Sequence, residues 1–580
     1  MLAEHREAIM GFTHTSLPSK PSHHTLHQGI SHNRPPTGTM ESCPDLSAKM
    51  RYDSMGISRR DFLLRVGQAG GYSAAFLTMQ SMGLFPAALA VAQPLLSVAP
   101  NTGKGVKVVI LGGGISGLVA AYEMKALGYD CIVLEARSRP GGRNWTVRGG
   151  DTIAFTDGST QTCTFDPGNY QNVGPARLPS IHKTILGYCR KLSVELQVEV
   201  NTSRSSLLQN DAANGGKPMV QRQVINDTRG HVAELLAKCV RNGALDQDMT
   251  AKDRDRVLSF LRVYGLLDNA GKYRGSQDAG YAKTPGAGDD VGVLSQPIDM
   301  HTLLDANFWD GILFEEQFDM QATMFQPVGG MDRIPYAFAK ALGDTVQYNS
   351  PVTEIRKTAK GVRIGYTQAG QQKSIEADFC LCGMPLMLLK KIPTDFSAPF
   401  KKVIDECTYD GAYKIAWESR RFWEQDYNIY GGLEFLSTGC TPVWFPSANL
   451  FAQRGVVVSG YGFDSPPEFD RLSLEDKLAA SRHSIERLHP GHGKELEKPI
   501  YVGWSHIPWN EGSWIGSYGP GENARSQSVP PGYETLIAPD GPIYFIGDHV
   551  SHILGWQEGA ALSSLRAIQM VSDRVKASRT

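Results

Sequence analysis

Residues 107–117 read KVVILGGGISG, and this stretch decides the fold because an apolar run breaks here into a glycine-rich turn. Lys107–Leu111 is short and rich in β-branched residues, which predicts a strand. Ile115–Leu127 carries apolar residues at helical spacing and is followed by Gly128, which predicts a helix. The sequence therefore predicts a strand, a tight turn and a helix in direct succession.

The turn between this strand and helix has the pattern of a dinucleotide-binding site. Gly112, Gly114 and Gly117 let the backbone turn sharply and approach a pyrophosphate, whose charge the helix amides can bind. A second predicted strand, Cys131–Leu134, ends at Glu135, where a carboxylate can bind a ribose hydroxyl. The contacts predicted from the turn itself are Gly112, Gly114, Ile115, Ser116 and Gly117.

The composition is that of an ordinary globular protein with enough residues for two large domains. The chain has 580 residues, 41% of them hydrophobic and 20% charged, and its formal net charge is −1. This balance gives no reason to expect a nucleic acid as partner. Nine cysteines form neither a CxxC pair nor a Cys/His ligand pattern, so we predict no metal site.

The first 92 residues indicate targeting rather than fold. Residues 1–57 are rich in histidine, proline and serine without apolar periodicity, which predicts a disordered extension. Residues 58–92 begin with SRRDFL, which contains Arg59 and Arg60, and continue as a mildly apolar stretch ending in A-x-A sites. This pattern is typical of a twin-arginine signal, which exports folded proteins, so we expect a periplasmic or secreted protein. No stretch is apolar over the roughly 20 residues that a membrane span needs.

Two further glycine motifs indicate which dinucleotide is bound. Gly142 and Arg143 belong to a second glycine turn after Glu135, and arginine can hold a phosphate by two hydrogen bonds. Near the C-terminus a predicted strand runs into Gly547 and Asp548. A cofactor contacted by both the first and the last segments of the domain is long and extended, which favours FAD over a nicotinamide cofactor.

With these motifs, residues 104–580 resemble the flavin-containing amine oxidase superfamily, and most closely its L-amino-acid oxidase branch. The resemblance implies FAD as cofactor. The further cofactor contacts that it implies are Glu135, Ala136, Arg137, Gly142, Arg143, Pro175, Ala176, Arg177, Val352, Gly547, Asp548, Gly559 and Ala560.

The resemblance also implies an α/β fold with two domains between which the chain alternates. One is a Rossmann-like FAD-binding domain of the glutathione-reductase type, and the other is an α+β substrate-binding domain with a helical insertion. The implied FAD-binding segments are 104–173, 325–390 and 536–580, and the implied substrate-binding segments are 174–324 and 391–535.

Periodicity predicts four elements of the substrate-binding segments. Apolar residues at helical spacing over His231–Val240 and Asp253–Leu267 predict helices in the insertion. Alternation over residues 410–418 and 456–463 predicts strands of a sheet.

The stretch NVGPARLP over residues 172–179 carries the prediction of substrate. In L-amino-acid oxidases an arginine in this setting binds the substrate carboxylate, and Arg177 occupies that position; a helix-start arginine paired with a surface acid is the alternative. The planar, permanently charged guanidinium fits a carboxylate in two parallel hydrogen bonds. The resemblance assigns three more catalytic residues: Lys414 to a water at flavin N5, Tyr461 to the substrate carboxylate, and Trp556 to the aromatic wall beside the amine.

The implied reaction is oxidative deamination of L-amino acids to 2-oxo acids with release of ammonia and hydrogen peroxide. Hydride would pass from the substrate Cα to flavin N5, with molecular oxygen as the second substrate. An L-amino-acid 2-monooxygenase, an amine or polyamine oxidase, and a flavin-binding protein without catalysis remain alternatives. The family suggests a homodimer, whereas the preferred amino-acid side chain is not predicted.

Overall fold

The computed structural model describes residues 96–463, 466–525 and 529–579. The predicted disordered extension (1–57) and twin-arginine signal (58–92) lie outside these residues, so both stay predictions. Within the described ranges, no helix is both long and apolar enough to cross a membrane.

A five-stranded parallel sheet carries the glycine turn. Its central strand is Lys107–Leu111, as predicted, and the predicted strand at 131–134 begins one residue earlier, at Asp130. The helix after the turn is Ile115–Ala126, one residue shorter than predicted. In order across the sheet, the strands are Val346–Gln347, Asp130–Leu134, Lys107–Leu111, Phe379–Cys382 and Ile543–Phe545, and every neighbouring pair is parallel.

Alternate residues of the central strand pack into different apolar clusters, as the two-residue period of a strand requires. Val108 and Ile110 pack with the helix Ile115–Ala126 and with the C-terminal helix Gln557–Ala577. Val109 packs on the opposite face, against a three-stranded antiparallel sheet. The parallel sheet is therefore covered on both faces, as expected for the α/β class, which is confirmed.

A seven-stranded mixed sheet forms the second large layer. The strands predicted at 410–418 and 456–463 are Tyr413–Arg420 and Arg454–Gly462, and they pair antiparallel. In this pairing Lys414 lies directly opposite Tyr461, so both side chains reach the same face. The strands in order are Met219–Val220, Leu207–Gln209, Gly432–Leu436, Val443–Phe445, Arg454–Gly462, Tyr413–Arg420 and Glu497–Gly503.

The helical insertion is present where periodicity predicts it, with different ends. The helix predicted over His231–Val240 is longer and covers Gln221–Arg241. The helix predicted over Asp253–Leu267 begins at Ala251, because the Thr250 side chain accepts the amide of Asp253 in a capping box, and it ends at Tyr264 before Gly265. The two helices pack against each other as a hairpin.

Shorter elements complete the fold. The remaining helices are Lys183–Lys191, Met300–Ala306, Trp309–Ile312, Arg333–Leu342, Leu386–Leu389, Ala398–Glu406, Phe422–Gln425, Pro467–Asp470, Leu474–Leu488 and Pro531–Ile537. The remaining strands are Thr146–Arg148, Thr152–Ala154, Thr160–Thr162, Tyr170–Asn172, Leu178–Pro179, Leu196–Glu199, Tyr281–Lys283, Val293–Leu294, Met324–Pro327, Val352–Lys357, Val362–Gln368, Gln371–Ala377, Thr408–Tyr409, Ile515–Gly519 and Glu522–Asn523.

Candidate active site

A long cavity opens beside the carboxyl ends of the parallel strands and reaches the seven-stranded sheet. It contains about 1740 Å³ of empty space, its open mouth included. Most of the residues predicted from sequence to bind cofactor or substrate line it. They are Gly112, Gly114, Ile115, Ser116, Glu135, Ala136, Arg137, Gly142, Arg143, Pro175, Val352, Lys414, Tyr461, Gly547, Asp548, Trp556 and Ala560.

Two glycines of the turn have different surroundings. One borders open space that a ligand could occupy, and the other packs closely against the backbone. A Cβ added to Gly114 would find no protein atom within 4 Å, so this glycine borders open space. A Cβ on Gly117 would lie 2.0 Å from the carbonyl oxygen of Gly112. Gly117 thus allows close packing of turn and helix and does not line the cavity, and its contact with the cofactor stays a prediction.

Glu135 is held in place at the end of its strand. Its Oε2 accepts the amide of Gly113 at 2.7 Å and its Oε1 accepts the amide of Arg137 at 2.9 Å. Each oxygen keeps a lone pair, since a carboxylate has about four acceptor positions. The carboxylate is thus fixed and able to accept hydrogen bonds from a ribose.

Arg143 and Asp548 connect the second glycine turn to the C-terminal segment. The guanidinium donates two hydrogen bonds to the carboxylate, and both residues line the cavity. Burial alone would raise the pKa of Asp548, but the charge of Arg143 lowers it below its usual value. The pair is therefore ionised, and it ties together two segments 405 residues apart in the chain.

Buried polar atoms without partners show that the cavity fits a polar ligand. Asn144 donates to Gln557 Oε1 at 2.7 Å, which leaves Asn144 Oδ1 and Gln557 Nε2 without hydrogen bonds among the described residues. His549 Nε2 is also buried without a partner there, and burial lowers the pKa of this imidazole to about 4. All three side chains line the cavity. Buried polar groups normally have partners, so a bound ligand with donors and acceptors suits them.

Arg177 is buried beside the cavity without lining it. Its Nη1 donates to Asn201 Oδ1 at 2.6 Å and lies 3.7 Å from the sulfur of Met320. Its guanidinium carbon is 5.9 Å from the ring centre of Tyr461, which does line the cavity. No carboxylate of the described residues lies within 4.0 Å of the guanidinium, so this buried cation has no ion-pair partner there. The surface ion pair considered from sequence is not present among those residues.

Lys414 is a second buried cation at the same wall. Its ammonium donates to the carbonyl oxygens of Asn172 and Gly174, at 2.8 and 2.6 Å, and lies 4.6 Å from the ring centre of Tyr461. Burial, together with the charge of Arg177, holds the pKa of Lys414 well below its ordinary value. Two basic side chains therefore lie on the same aromatic ring, that of Tyr461, at this wall of the cavity.

Trp556 forms another part of the wall, directly before the C-terminal helix. The indole packs edge-on against the His182 imidazole, with ring centres 5.0 Å apart. Gly559, predicted to approach the cofactor, does not line the cavity, because a Cβ there would lie 2.3 Å from the carbonyl oxygen of Ile553. Ala176 is buried and likewise does not line it, so the helix end and the segment before Arg177 contribute Ala560 and Pro175 instead.

Part of the cavity wall carries no motif that sequence could reveal. Asn144 and Gln557 are next to predicted residues in the sequence, but only their hydrogen bond to each other in the structure identifies them as part of the site. The other lining residues without a sequence signal are Gly383, Met384, Pro385, Leu388, Lys391, Ile392, Tyr409, Trp509, Asn510, Glu511, Gly512, Ser513, Trp514 and His549.

No group of three or more His, Cys, Asp or Glu side chains suited to a metal ion occurs within the described ranges.

Comparison with known proteins agrees with this geometry. The model of the family described as flavin containing amine oxidoreductase matches residues 115–571. A putative L-amino-acid oxidase, YobN, of Bacillus subtilis (strain 168) is 25% identical over 486 residues, covering 80% of this chain and 94% of that protein. The L-amino-acid oxidase of Demansia vestigiata is 25% identical over 484 residues, covering 80% and 86%.

Solved structures of amine oxidases share the fold. Putrescine oxidase bound to putrescine superposes with a TM-score of 0.52 at 18% identity, covering 81% of this chain and 99% of that one. Cyclohexylamine oxidase from Brevibacterium oxydans IH-35A gives 0.53 at 17% identity, with coverage of 81% and 99%. The family model spans most of the chain, and the cavity suits an extended dinucleotide. The chain therefore belongs to the flavin-containing amine oxidoreductases and is an FAD-dependent oxidoreductase.

Proposed function

We propose that the protein is an L-amino-acid oxidase, which converts an L-amino acid and oxygen to a 2-oxo acid, ammonia and hydrogen peroxide. The observation that carries this proposal is the buried guanidinium of Arg177, which has no ion-pair partner among the described residues and adjoins the cavity wall at Tyr461. The two relatives named as L-amino-acid oxidases support it at 25% identity.

A buried guanidinium favours a substrate with a carboxylate. Burying a charge is costly unless another charge or several hydrogen bonds compensate it. Arg177 uses one N–H on Asn201, a neutral partner, so further donors remain for two parallel bonds to a carboxylate. A plain amine would leave the cost uncompensated and would add a second positive charge.

The surrounding residues can orient the rest of the substrate. With its carboxylate at Arg177, the substrate amine and Cα would extend past Tyr461 toward the cavity, whose wall includes Trp556 and Lys414. When bound, FAD supplies the acceptor for the Cα hydride and passes the electrons to oxygen. Fixing the substrate at one end makes the encounter effectively unimolecular.

Arg177 also affects the protonation of the substrate. The amine must be neutral to release hydride, and nearby positive charge lowers the pKa of an ammonium group. The permanently charged guanidinium of Arg177 provides that charge. This residue therefore favours the neutral amine near pH 7.

A matched pair of substrates tests the proposal: each L-amino acid beside the amine that lacks only its carboxylate. We expect peroxide from L-amino acids, not from their D-enantiomers. Arg177→Met should lower kcat/KM for the amino acid by about 10- to 100-fold, the value of hydrogen bonds to a charged group, and leave the amine unchanged. Arg204→Met is the control, because Arg204 is exposed and pairs with Glu315. Equal effects of Arg177→Met on both substrates would contradict the proposal.

The product distinguishes the alternatives. Peroxide and ammonia in equal amounts support the oxidase, whereas a carboxamide one carbon shorter supports a 2-monooxygenase. Turnover of diamines in preference to amino acids supports a polyamine oxidase. A flavin-loaded protein inert toward all of these would be a flavin-binding protein without catalysis.

We further infer that the protein is exported folded through the twin-arginine signal and acts as a homodimer in the periplasm or outside the cell. The support for export is the SRRDFL sequence, and the support for a dimer is the resemblance to the family. Light scattering of the mature holoenzyme tests the dimer.

A further inference from the structure

Glu199 is a buried carboxyl group that the proposed reaction does not use. It ends the strand Leu196–Glu199, is 3% exposed, and neither of its oxygens has a hydrogen-bond partner among the described residues. A buried carboxyl group without hydrogen bonds is costly to keep, so it needs an explanation.

The charged side chain that acts on Glu199, Arg177, is the one proposed to bind the substrate carboxylate. Burial raises the pKa of Glu199 to about 7; the charge of Arg177 opposes this rise, and so, less strongly, does the nearby indole N–H of Trp444, which is outside hydrogen-bond geometry. Asn201, two residues further along the chain, is the hydrogen-bond partner of Arg177. The other cation is Lys414, 5.5 Å from the ring centre of Trp444. Near neutral pH, a small change in charge therefore decides whether Glu199 is ionised.

We propose that Glu199 competes with the substrate for Arg177, so that a substrate carboxylate binds together with one proton that neutralises Glu199. This inference rests on the proposed function. Glu199 is near enough to sense the charge of Arg177 but lies beyond 4.0 Å of it, so when a second carboxylate binds the guanidinium the two anions repel, and Glu199, which has no hydrogen bond, is the cheaper one to protonate. The step is a proton transfer from solvent to Glu199, whose carboxylate becomes a carboxylic acid, and no other bond changes.

The direction of the pH dependence follows. Below about pH 7 Glu199 already carries its proton, and Arg177 is free to bind a carboxylate without proton uptake. Above that pH, binding must take up a proton, so the dissociation constant rises by up to about tenfold per pH unit. Lys414 also loses positive charge as pH rises, which would weaken carboxylate binding as well. A variant of Glu199 is therefore needed to separate the effects of the two groups.

Benzoate is a suitable probe, because it has a carboxylate and no amine to titrate. Its dissociation constant can be measured on the holoenzyme from pH 6 to 9 through the change in flavin absorption. We expect the constant to rise steeply above pH 7 in the wild type and much less in Glu199→Gln. Glu195→Gln, an exposed carboxylate shortly before the same strand, is the matched control and should behave as wild type.

Proton uptake can be counted directly. Calorimetry at pH 8 in two buffers of different ionisation enthalpy should show a proton taken up with benzoate in the wild type and little or none in Glu199→Gln. Absence of uptake in the wild type overturns the inference even if the variant fails to fold. An unchanged pH dependence in a folded Glu199→Gln also overturns it.

Arg177→Met separates this inference from the proposed function. If that variant binds benzoate as tightly as wild type, the proposed function fails and the inference fails with it. If it loses benzoate while Glu199→Gln keeps the wild-type pH dependence, Arg177 binds carboxylates and only the role of Glu199 is wrong.

Discussion

Asn144 and Gln557 are 413 residues apart in sequence, and their side-chain amides meet at 2.7 Å in the cavity wall. Asn144 directly follows the Arg143 that pairs with Asp548, and Gln557 is the first residue of the C-terminal helix. Each side-chain amide uses one polar atom in this hydrogen bond and keeps its other polar atom for a ligand. The same holds if both amide groups are turned over, since the nitrogen and oxygen then exchange roles.

We expect Asn144→Leu to weaken FAD binding. The substitution removes one free acceptor and leaves Gln557 without its partner, so the dissociation constant for FAD should rise about tenfold, equivalent to one or two hydrogen bonds. Release of fluorescent flavin on dilution measures this. Gln569→Leu, further along the same helix and away from the cavity, is the control. Unchanged flavin retention in Asn144→Leu would show that the amide pair does not bind the cofactor.

Two glycine substitutions should separate cofactor binding from folding. Gly114→Ala places a methyl group in open space at a φ of −73°, so the protein should fold but fail to take up FAD. Gly117→Ala places a methyl group against the carbonyl oxygen of Gly112, so this variant should give a lower yield of folded protein. Circular dichroism and flavin content give the two readouts. A yellow Gly114→Ala protein would contradict the assignment of this turn.

The neutral imidazole of His549 should make stability fall in mild acid. Its pKa is about 4 in the folded protein, against about 6.5 when unfolded, so protons bind preferentially to the unfolded chain between these values. Stability is fully present above pH 6.5 and decreases as pH falls toward 4, by up to about 3 kcal/mol. His549→Asn should reduce this dependence of the unfolding midpoint, whereas exposed His552→Asn should not.

Lys414 should affect the reaction with oxygen. We expect Lys414→Met to slow this step by about 10²-fold, as loss of a donor to developing negative charge does in comparable sites, if oxygen reacts beside this side chain. Rapid-mixing measurements of reduced enzyme with oxygen isolate this step from reduction by substrate. An unaltered rate with oxygen would limit Lys414 to a structural role through the carbonyls of Asn172 and Gly174.

We expect export to depend on the paired arginines of the predicted signal. Arg59→Lys combined with Arg60→Lys should retain the FAD-loaded protein in the cytoplasm, because the pathway reads this pair. Arg51→Lys, upstream of the signature, should leave export unchanged. Equal distribution of all three proteins between the cell fractions would contradict the prediction.

The sequence predicted the parts of the site that depend on local pattern. The strand, turn and helix from Lys107 and the carboxylate of Glu135 follow from spacing over about 30 residues, and they lie where expected. Strand alternation likewise placed Lys414 and Tyr461 correctly on strands, but their direct pairing required the sheet register.

What the sequence could not predict depends on contacts across the chain. Gly117 and Gly559 fit the motifs, yet each packs closely against a neighbouring carbonyl oxygen and neither lines the cavity. Glu199 has no motif, and its effect arises only because the fold buries it near Arg177 and Trp444. Burial and long-range contacts set these roles, and neither is visible in a local window.

The parallel sheet has one consequence for synthesis in the cell. Its edge strand, Ile543–Phe545, leads into the cavity residues Gly547 and Asp548, and Asp548 comes 405 residues after its partner Arg143. A nascent chain that does not yet contain these residues lacks one wall of the flavin compartment. The flavin compartment can therefore close only after the ribosome has translated past this segment.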